Sequence, residues 1–306
     1  MRRINSLLSA VLGLMTAGSA MAQGPGSMHG TPTPSFRGHE GLEMNFNLVV
    51  PQVAVGARYT TSLVLFNLGN PQSMGWVASQ NLKTTGKVFL FKQDGTRLAV
   101  GVNGGTPATE FAFTIDPQET LSYELSYSGA DTSGWALIQI DDPSDGEGWG
   151  LMDDTTMARG RRVIATVFYT YGAGGQTISR VGVVPSVYEM QRFRTSVLPA
   201  QAQSGLSTGV AIVNTSSSSV TLDLQLKDAK GNIIARTTLV LQPGNQTARF
   251  IQELFGTAVP AQFRGLLEIN SFAEGVVTLG LLVGDGVLTS IPVMHYGSMR
   301  SSSMMP

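Results

Sequence analysis

The densest group of potential metal ligands is a run of carboxylates between two β-forming segments. Six of the 21 acidic residues fall within residues 141–154, interleaved with glycines. Calcium takes about six to eight oxygen ligands, and a flexible acidic loop can supply them, although no EF-hand spacing is present. Two interpretations stay open, a calcium site and a loop whose charges are simply solvated. The candidate calcium ligands are Asp141, Asp142, Asp145, Glu147, Asp153 and Asp154.

Two tryptophans lie outside the β-forming segments and are candidate binding residues. Trp76 and Trp149 each fall in a long loop, where an indole ring can stack on a sugar or on a partner side chain. The alternative is that each ring covers a small cluster of its own loop. Because loops emerge at alternate ends of antiparallel strands, we expect the two loops at opposite ends and no site that uses both rings.

A possible nucleophile motif occurs at residues 205–209, which read GLSTG. Ser207 in this G-x-S-x-G pattern, followed by an aspartate and by His295, would give the chain order of a serine hydrolase. The motif requires a strand before the serine and a helix after it, but the following VAIVN is β-forming. We therefore expect no catalytic residue, and a serine hydrolase is the third alternative for function.

The β-forming segments that would position these residues occur as two sequence repeats in the chain. Six β-forming blocks, from VVPQVA to VIATVFYTYG, return in the same order from VLPAQA to VVTLGLLVG. Asp94-Gly95 and Lys230-Gly231 lie between β runs, and the first pair is a strong signal for a tight hairpin. The first copy is longer by extra residues at about 71–86, 101–110 and 141–162. The matching positions are Pro51 and Pro199, Asn67 and Asn214, Gly95 and Gly231, and Pro117 and Pro243.

This pattern predicts an all-β protein of two tandem immunoglobulin-like β-sandwich domains that arose by internal duplication, with roughly seven or eight strands each. The best short helix candidate is Arg249 to Phe255. The predicted organisation is a signal peptide at 1–22, a flexible segment at 23–45, the first sandwich at 46–185, a linker at 186–195, the second sandwich at 196–296 and a disordered tail at 297–306.

The strand that ends in FNLGN, and its partner that ends in VNTSS, resemble the repeats of bacterial extracellular immunoglobulin-like and CARDB-like proteins. The resemblance extends to the Asp-Gly hairpin and to the Pro-Gly or Pro-Gln turn, and it covers about residues 46–296. It implies a non-catalytic part of a secreted or surface-attached protein. The long insertions of the first copy and the lack of an LPxTG-type signal depart from that pattern.

The ends and the composition of the chain favour export. Arg2 and Arg3, an apolar run from Leu7 to Met15 and the sequence Ala20-Met21-Ala22 form a signal-peptide pattern with cleavage before Gln23. No segment has the apolar length of a transmembrane helix. We expect a secreted or periplasmic protein, with association to the cell surface left open.

Composition also excludes several functions. The chain has no cysteine, which rules out disulfides, thiolate catalysis and cysteine-bound zinc. Removal of Arg2 and Arg3 leaves 18 basic against 21 acidic residues, a net charge of −3, which disfavours nucleic-acid binding.

The expected role is therefore a non-enzymatic structural, adhesion or protein-binding module, without a cofactor unless calcium binds. The alternative is a carbohydrate-binding or calcium-dependent recognition module that uses the loops of the first copy, with a surface polysaccharide as partner. Exposed aromatic rings beside polar groups would favour glycan binding, whereas a long open edge strand would favour assembly by strand addition.

Overall fold

Antiparallel β-strands make up most of the described residues, with one short helix, so the predicted all-β class is confirmed. The computed structural model describes residues 47–68, 83–141, 163–173, 176–187, 195–203, 205–284 and 287–296. Among these residues, no helix is long and apolar enough to span a membrane. The predicted signal peptide, N-terminal segment and C-terminal tail lie outside these ranges, as does most of the predicted linker.

The described part of the first half contains eleven strands. They are β1 (Leu48–Val55), β2 (Tyr59–Asn67), β3 (Thr84–Lys92), β4 (Val100–Val102), β5 (Pro107–Ala108), β6 (Glu110–Ile115), β7 (Thr120–Ser126), β8 (Thr132–Ile140), β9 (Val163–Ala173), β10 (Gln176–Val183) and β11 (Ser186–Val187). Sheet A has the order β11-β1-β8-β3-β6, and sheet B has the order β10-β9-β2-β7-β4-β5.

The described part of the second half contains nine strands and a short helix. They are β12 (Thr195–Gln203), β13 (Leu206–Asn214), β14 (Val220–Asp228), β15 (Ile233–Leu241), β16 (Gln246–Phe250), α1 (Ile251–Phe255), β17 (Phe263–Ser271), β18 (Val276–Gly284), β19 (Val287–Ile291) and β20 (Met294–Tyr296). Helix α1 falls in the segment predicted to be helical.

The strands of the second half form two layers that are joined at one hairpin. We call β15-β14-β17-β12-β20 sheet C and β16-β13-β18-β19 sheet D. Only two residue pairs, Ala202 with Ser207 and Gln203 with Leu206, connect β12 to β13. A single apolar cluster that includes Leu224 and Ile212 fills the space between the two sheets.

The turns at the ends of β2 and β13 have the same hydrogen bonds. The Asn67 side chain donates to Ile115 O, its N–H donates to Glu119 O, and its carbonyl accepts from Gln118 N. The corresponding bonds of the second half join Asn214 to Leu241 O, to Asn245 O and to Gly244 N. Gln118 and Gly244 share a left-handed conformation, with φ of 63° and 73°.

The four sheets lie in the order B, A, D, C. One apolar cluster lies between sheets B and A and extends to Ala211, Ala248 and Leu279 of the second half. A second cluster joins sheet A to sheet D and includes Val49, Trp135, Val213 and Val277. Sheets A and D are therefore each covered on both faces.

Strand β1 shows the consequence of this layering. All eight of its residues are buried, where a sandwich strand with one solvent face would alternate between buried and exposed residues. Trp135 on the neighbouring β8 is fully buried, stacks on Phe91 at a centroid distance of 4.3 Å and donates from Nε1 to Gly244 O at 2.8 Å. The two halves are thus in direct apolar contact.

Candidate functional site

Ser207 and His295 are far apart. Ser207 of β13 lies opposite Ala202, and His295 of β20 lies opposite Ser196. Ala202 and Ser196 both belong to β12. Ser196 and Ala202 are six residue steps apart, which is roughly 20 Å of extended strand. The geometry therefore does not bring together the serine and histidine of the hydrolase alternative.

Each of the two residues has a local partner. The Ser207 side chain is buried and its Oγ donates to Gln252 Oε1 of helix α1. His295 Nδ1 lies 3.0 Å from Ser196 Oγ, and burial lowers the pKa of this histidine from its usual value. Residue 207 lies near the start of β13, and the strand continues through VAIVN with no helix, as the sequence predicts.

Asp141 is the one candidate calcium ligand in the described ranges. Its Oδ2 accepts a hydrogen bond from Thr85 Oγ1 at 2.8 Å, and its N–H donates to Thr85 O at 2.9 Å. No group of three or more metal-ligating side chains occurs among the described residues. The remaining candidates lie outside them, namely Asp142, Asp145, Glu147, Asp153 and Asp154, together with the tryptophans Trp76 and Trp149.

The two long segments that carry these candidates begin and end at one end of the first half. The bonds between Thr85 and Asp141 join the end of the first segment to the start of the second. Asn67, before the first segment, is opposite Val163, after the second. The expectation of opposite ends is therefore wrong. Strands β2 and β8 run in the same direction, because the chain reverses direction an even number of times between them. The segments that follow these two strands therefore leave from the same end of the first half.

The outer face of sheet C is a polar surface that the described residues build across five strands. Leu222, Leu224 and Leu226 of β14 face the core, so the residues between them face outward. Strand pairing extends this surface across all five strands. Its outward residues are Asp223, Gln225 and Lys227 on β14, Glu268 and Asn270 on β17, Thr195 and Val197 on β12, Met294 and Tyr296 on β20, and Arg236, Thr238 and Val240 on β15.

Glu268 is the centre of this surface. Its carboxylate accepts hydrogen bonds from Lys227 Nζ at 2.7 Å, from Asn270 Nδ2 at 3.0 Å and from the Tyr296 hydroxyl at 3.1 Å. Burial acts to raise the pKa of Glu268, but these hydrogen bonds outweigh it, so the pKa lies below its usual value. Burial and the adjacent carboxylate raise the pKa of Tyr296.

A second carboxylate extends the contacts toward the edge of the sheet. Asp223 accepts a hydrogen bond from Gln225 Nε2 at 2.6 Å and lies 3.5 Å from Arg236 Nε. The Tyr296 residue at the opposite edge is 51% exposed, so its ring is accessible above the network. A flat face with an exposed ring, amides and paired charges can stack on and hydrogen-bond to a polar polymer.

The corresponding face of sheet A has the opposite character. Its residues include Val49, Phe89, Phe91, Trp135 and Leu137, which contact sheet D instead of solvent. Equivalent strand surfaces are thus apolar and covered in the first half, and polar and partly exposed in the second.

Sequence reasoning missed the outer face of sheet C. The signal was the alternation in VTLDLQLKD, where every second residue is polar or charged. The alternation indicates which side chains face the core and which face outward. It does not show that Tyr296 contacts Glu268, because that contact depends on the order of the strands in the sheet.

The sequence matches no known family model and no curated protein. Among solved structures, procruciferin, an 11S globulin from Brassica napus, aligns with 80% of this chain and 77% of its own, at 6% identity and a TM-score of 0.20. Oxalate decarboxylase from Bacillus subtilis aligns with 92% of this chain and 87% of its own, at 8% identity and a TM-score of 0.19. At these TM-scores, neither likeness carries an argument about fold or function.

Proposed function

We propose that this protein is an exported, non-enzymatic structural, adhesion or protein-binding module, and that it binds through the outer face of sheet C. The observation that carries the proposal is the contrast between sheets A and C. The face that the first half uses for contact with the second is apolar, whereas its counterpart in the second half is polar, with a partly shielded centre and exposed edges. Exposed polar and aromatic residues on a rigid sheet are suited to recognition.

The same proposal includes two tandem immunoglobulin-like units from one duplication. Strand order supports it, because β6-β3-β8-β1-β11 in sheet A corresponds to β15-β14-β17-β12-β20 in sheet C. The order β7-β2-β9-β10 corresponds in the same way to β16-β13-β18-β19. The matching hydrogen bonds of Asn67 and Asn214 give independent support.

Export and the absence of catalysis complete the proposal. The leader pattern that ends at Ala22 supports export into the periplasm or the medium. The partners of Ser207 and His295 support a non-enzymatic role, because a serine nucleophile needs a base within about 3 Å.

A cell-binding experiment tests this function. Labelled mature protein should bind to cells that export it, or to their extracellular material, in a saturable manner. Treatment of the cells with protease should abolish binding if the partner is a protein, and treatment with periodate should abolish it if the partner is a polysaccharide. Binding that does not saturate, or that equals the binding of an unrelated protein of similar charge, would contradict the proposal.

Recognition of carbohydrate, or calcium-dependent recognition, at the loop end of the first half is the second candidate. The observation that favours it is the convergence of both long segments on Thr85 and Asp141. Trp76 and Trp149 belong to segments anchored at one end, so a shared site is compatible with the strand topology. If this candidate is right, removal of both tryptophans should abolish glycan binding while changes on sheet C leave it intact.

A further inference from the structure

Strand β15 is a long open edge. It comprises nine residues, lies at one end of sheet C and pairs only with β14 among the described strands. The backbone groups on the outer side of such a strand are available to another strand. Three large apolar side chains on it are exposed, with Ile233 at 48%, Ile234 at 37% and Val240 at 56%.

The other described edges are short, charged or covered. Strands β5, β11 and β20 have two, two and three residues. Strand β6 begins with Glu110, which lies 3.8 Å from Arg97. Strand β10 faces β19, where Leu288 N donates to Ser179 Oγ, and β16 is joined to the first half through Gln246 N and Gln93 O.

Strand β15 is neither short nor covered by another described strand, and its one irregularity is a β-bulge at Ile234 near its start. Its sequence, IIARTTLVL, contains no proline, lysine or acidic residue. Its one charge, Arg236, is already paired with Asp223 of the neighbouring strand. Proteins normally avoid an edge of this kind unless it has a partner.

The residue pattern of β15 is complementary to itself. In an antiparallel pair of two β15 strands centred on Thr237, Ile234 lies opposite Val240 of the second copy on the outer face. Ala235 lies opposite Leu239 on the core face. Arg236 lies opposite Thr238, so no like charges are directly opposed. Centring on Arg236 would oppose the two guanidinium groups, which is unfavourable.

We propose that the protein forms a symmetric dimer in which the β15 strands of two copies pair antiparallel about Thr237. A twofold interface places the same surface of both copies against each other, so this surface has to be complementary to itself. The residue pattern of β15 meets that requirement, and we therefore assign the edge to a second copy of the chain. Two five-stranded C sheets then become one continuous sheet of ten strands. The two outer faces lie side by side, and this pairing occurs whether or not those faces bind a ligand.

The oligomeric state of the mature protein tests the proposal. Light scattering after size exclusion should give twice the mass of one chain. Val240→Lys places a charge opposite Ile234 in both pairs and should weaken the dimer by at least about tenfold. Ile164→Lys is the matched control, because Ile164 is also a β-branched strand residue and is 50% exposed on the outer surface of sheet B. Circular dichroism and melting temperature should confirm that each variant folds.

A monomeric wild-type protein at high micromolar concentration would overturn the proposal. So would a Val240→Lys variant that folds and dimerises as tightly as the wild type. Equal weakening by Ile164→Lys would also overturn it, because the interface would then not be specific to β15.

Single cysteines test the register directly, since the chain has no cysteine of its own. In the proposed pair, residue 237 lies opposite itself, with Cβ atoms about 5 Å apart. Thr237→Cys should therefore form a disulfide-linked dimer under mild oxidation, and Val184→Cys, at an exposed site away from β15, should not. Crosslinking at Thr238→Cys but not at Thr237→Cys would overturn this register.

Discussion

Glu268 connects the polar residues of sheet C because it accepts from three side chains on three different strands. Side chains of Glu268 and Lys227 are only 16% and 21% exposed, so the pair is partly shielded from water. Because water screens this carboxylate less than an exposed one, its interactions with Lys227, Asn270 and Tyr296 are stronger than those of a surface charge. It also fixes the positions of Asn270 and Tyr296 on the face that we propose as the binding surface.

The first prediction concerns the pH dependence of this pair. The pKa of Glu268 in the folded protein lies below the usual 4.5. The stabilisation is therefore fully present above about pH 4.5 and is lost as the pH falls through the folded pKa. Glu268→Gln should lower the free energy of unfolding at pH 7 by about 1 kcal/mol or less.

Denaturant unfolding between pH 3 and pH 7 checks this prediction, with pH values chosen to bracket the carboxyl range. The difference between wild type and Glu268→Gln should shrink below about pH 4.5. Glu274→Gln, an exposed change in the turn after β17, is the control and should follow the wild type. A difference that stays constant across the whole range would show that Glu268 stabilises the fold only through packing.

The second prediction concerns Ser207, which donates to Gln252 within a buried contact. Purified protein should not hydrolyse short acyl esters above the buffer rate, because in the described part of the chain the hydroxyl is bonded to the Gln252 amide and not to a base. Ser207→Ala should remove one buried hydrogen bond and cost about 1 kcal/mol of stability. Ester turnover that disappears in a fully folded Ser207→Ala variant would refute the non-enzymatic proposal.

The long segment from residue 142 to 162 is the element on which the calcium alternative depends. Its acidic residues repel one another unless a cation or solvent screens them. If calcium binds, millimolar calcium should raise the melting temperature, and Asp145→Ala with Asp153→Ala should abolish the rise. The matched pair Asp94→Ala and Asp228→Ala, in two hairpin turns, should leave any calcium effect intact. An unchanged melting curve together with no calorimetric heat would leave only the solvated loop.

Strand β8 contributes a buried contact between the two halves through Trp135. Trp135→Ala removes the ring that stacks on Phe91 and the hydrogen bond to Gly244, and should cost about 3–5 kcal/mol. Trp135→Phe keeps an aromatic ring and should cost clearly less. Calorimetry should show one transition in the wild type, because separating the halves would expose both covered sheets. Two resolved transitions in the wild type would contradict a continuous core.

The sequence predicted the strands well because their signals are local. Asparagine at the end of β2 and β13, glycine with positive φ at 95 and 231, and a helix near residue 251 all depend on a few neighbouring residues. The covered outer face of sheet A was not predicted. Strand β1 has eight buried residues that face sheets B and D, and a short apolar run in the sequence does not say which sheet covers each face.

The whole molecule is a stack of four sheets, and its last surface, the outer face of sheet C, is polar. Stacking through sheets A and D uses the apolar surface of the first half, while the paired charges of sheet C leave the last sheet solvated. This asymmetry is the physical basis for placing recognition on sheet C, and repeat proteins use polar terminal surfaces in the same way to end an apolar stack.

The measurement that tests this account most directly is binding of matched variants to the target found in the cell-binding experiment. Tyr296→Ala with Asn270→Ala removes the exposed ring and one amide from the outer face of sheet C. Tyr127→Ala removes a comparably exposed tyrosine, 39% against 51%, from the first half. We expect the sheet C variant to remain folded with a slightly lowered melting temperature, since it loses two hydrogen bonds to Glu268, and to bind at least about tenfold more weakly. The control should bind as the wild type does. Equal affinity of all three proteins would show that sheet C is not the binding surface.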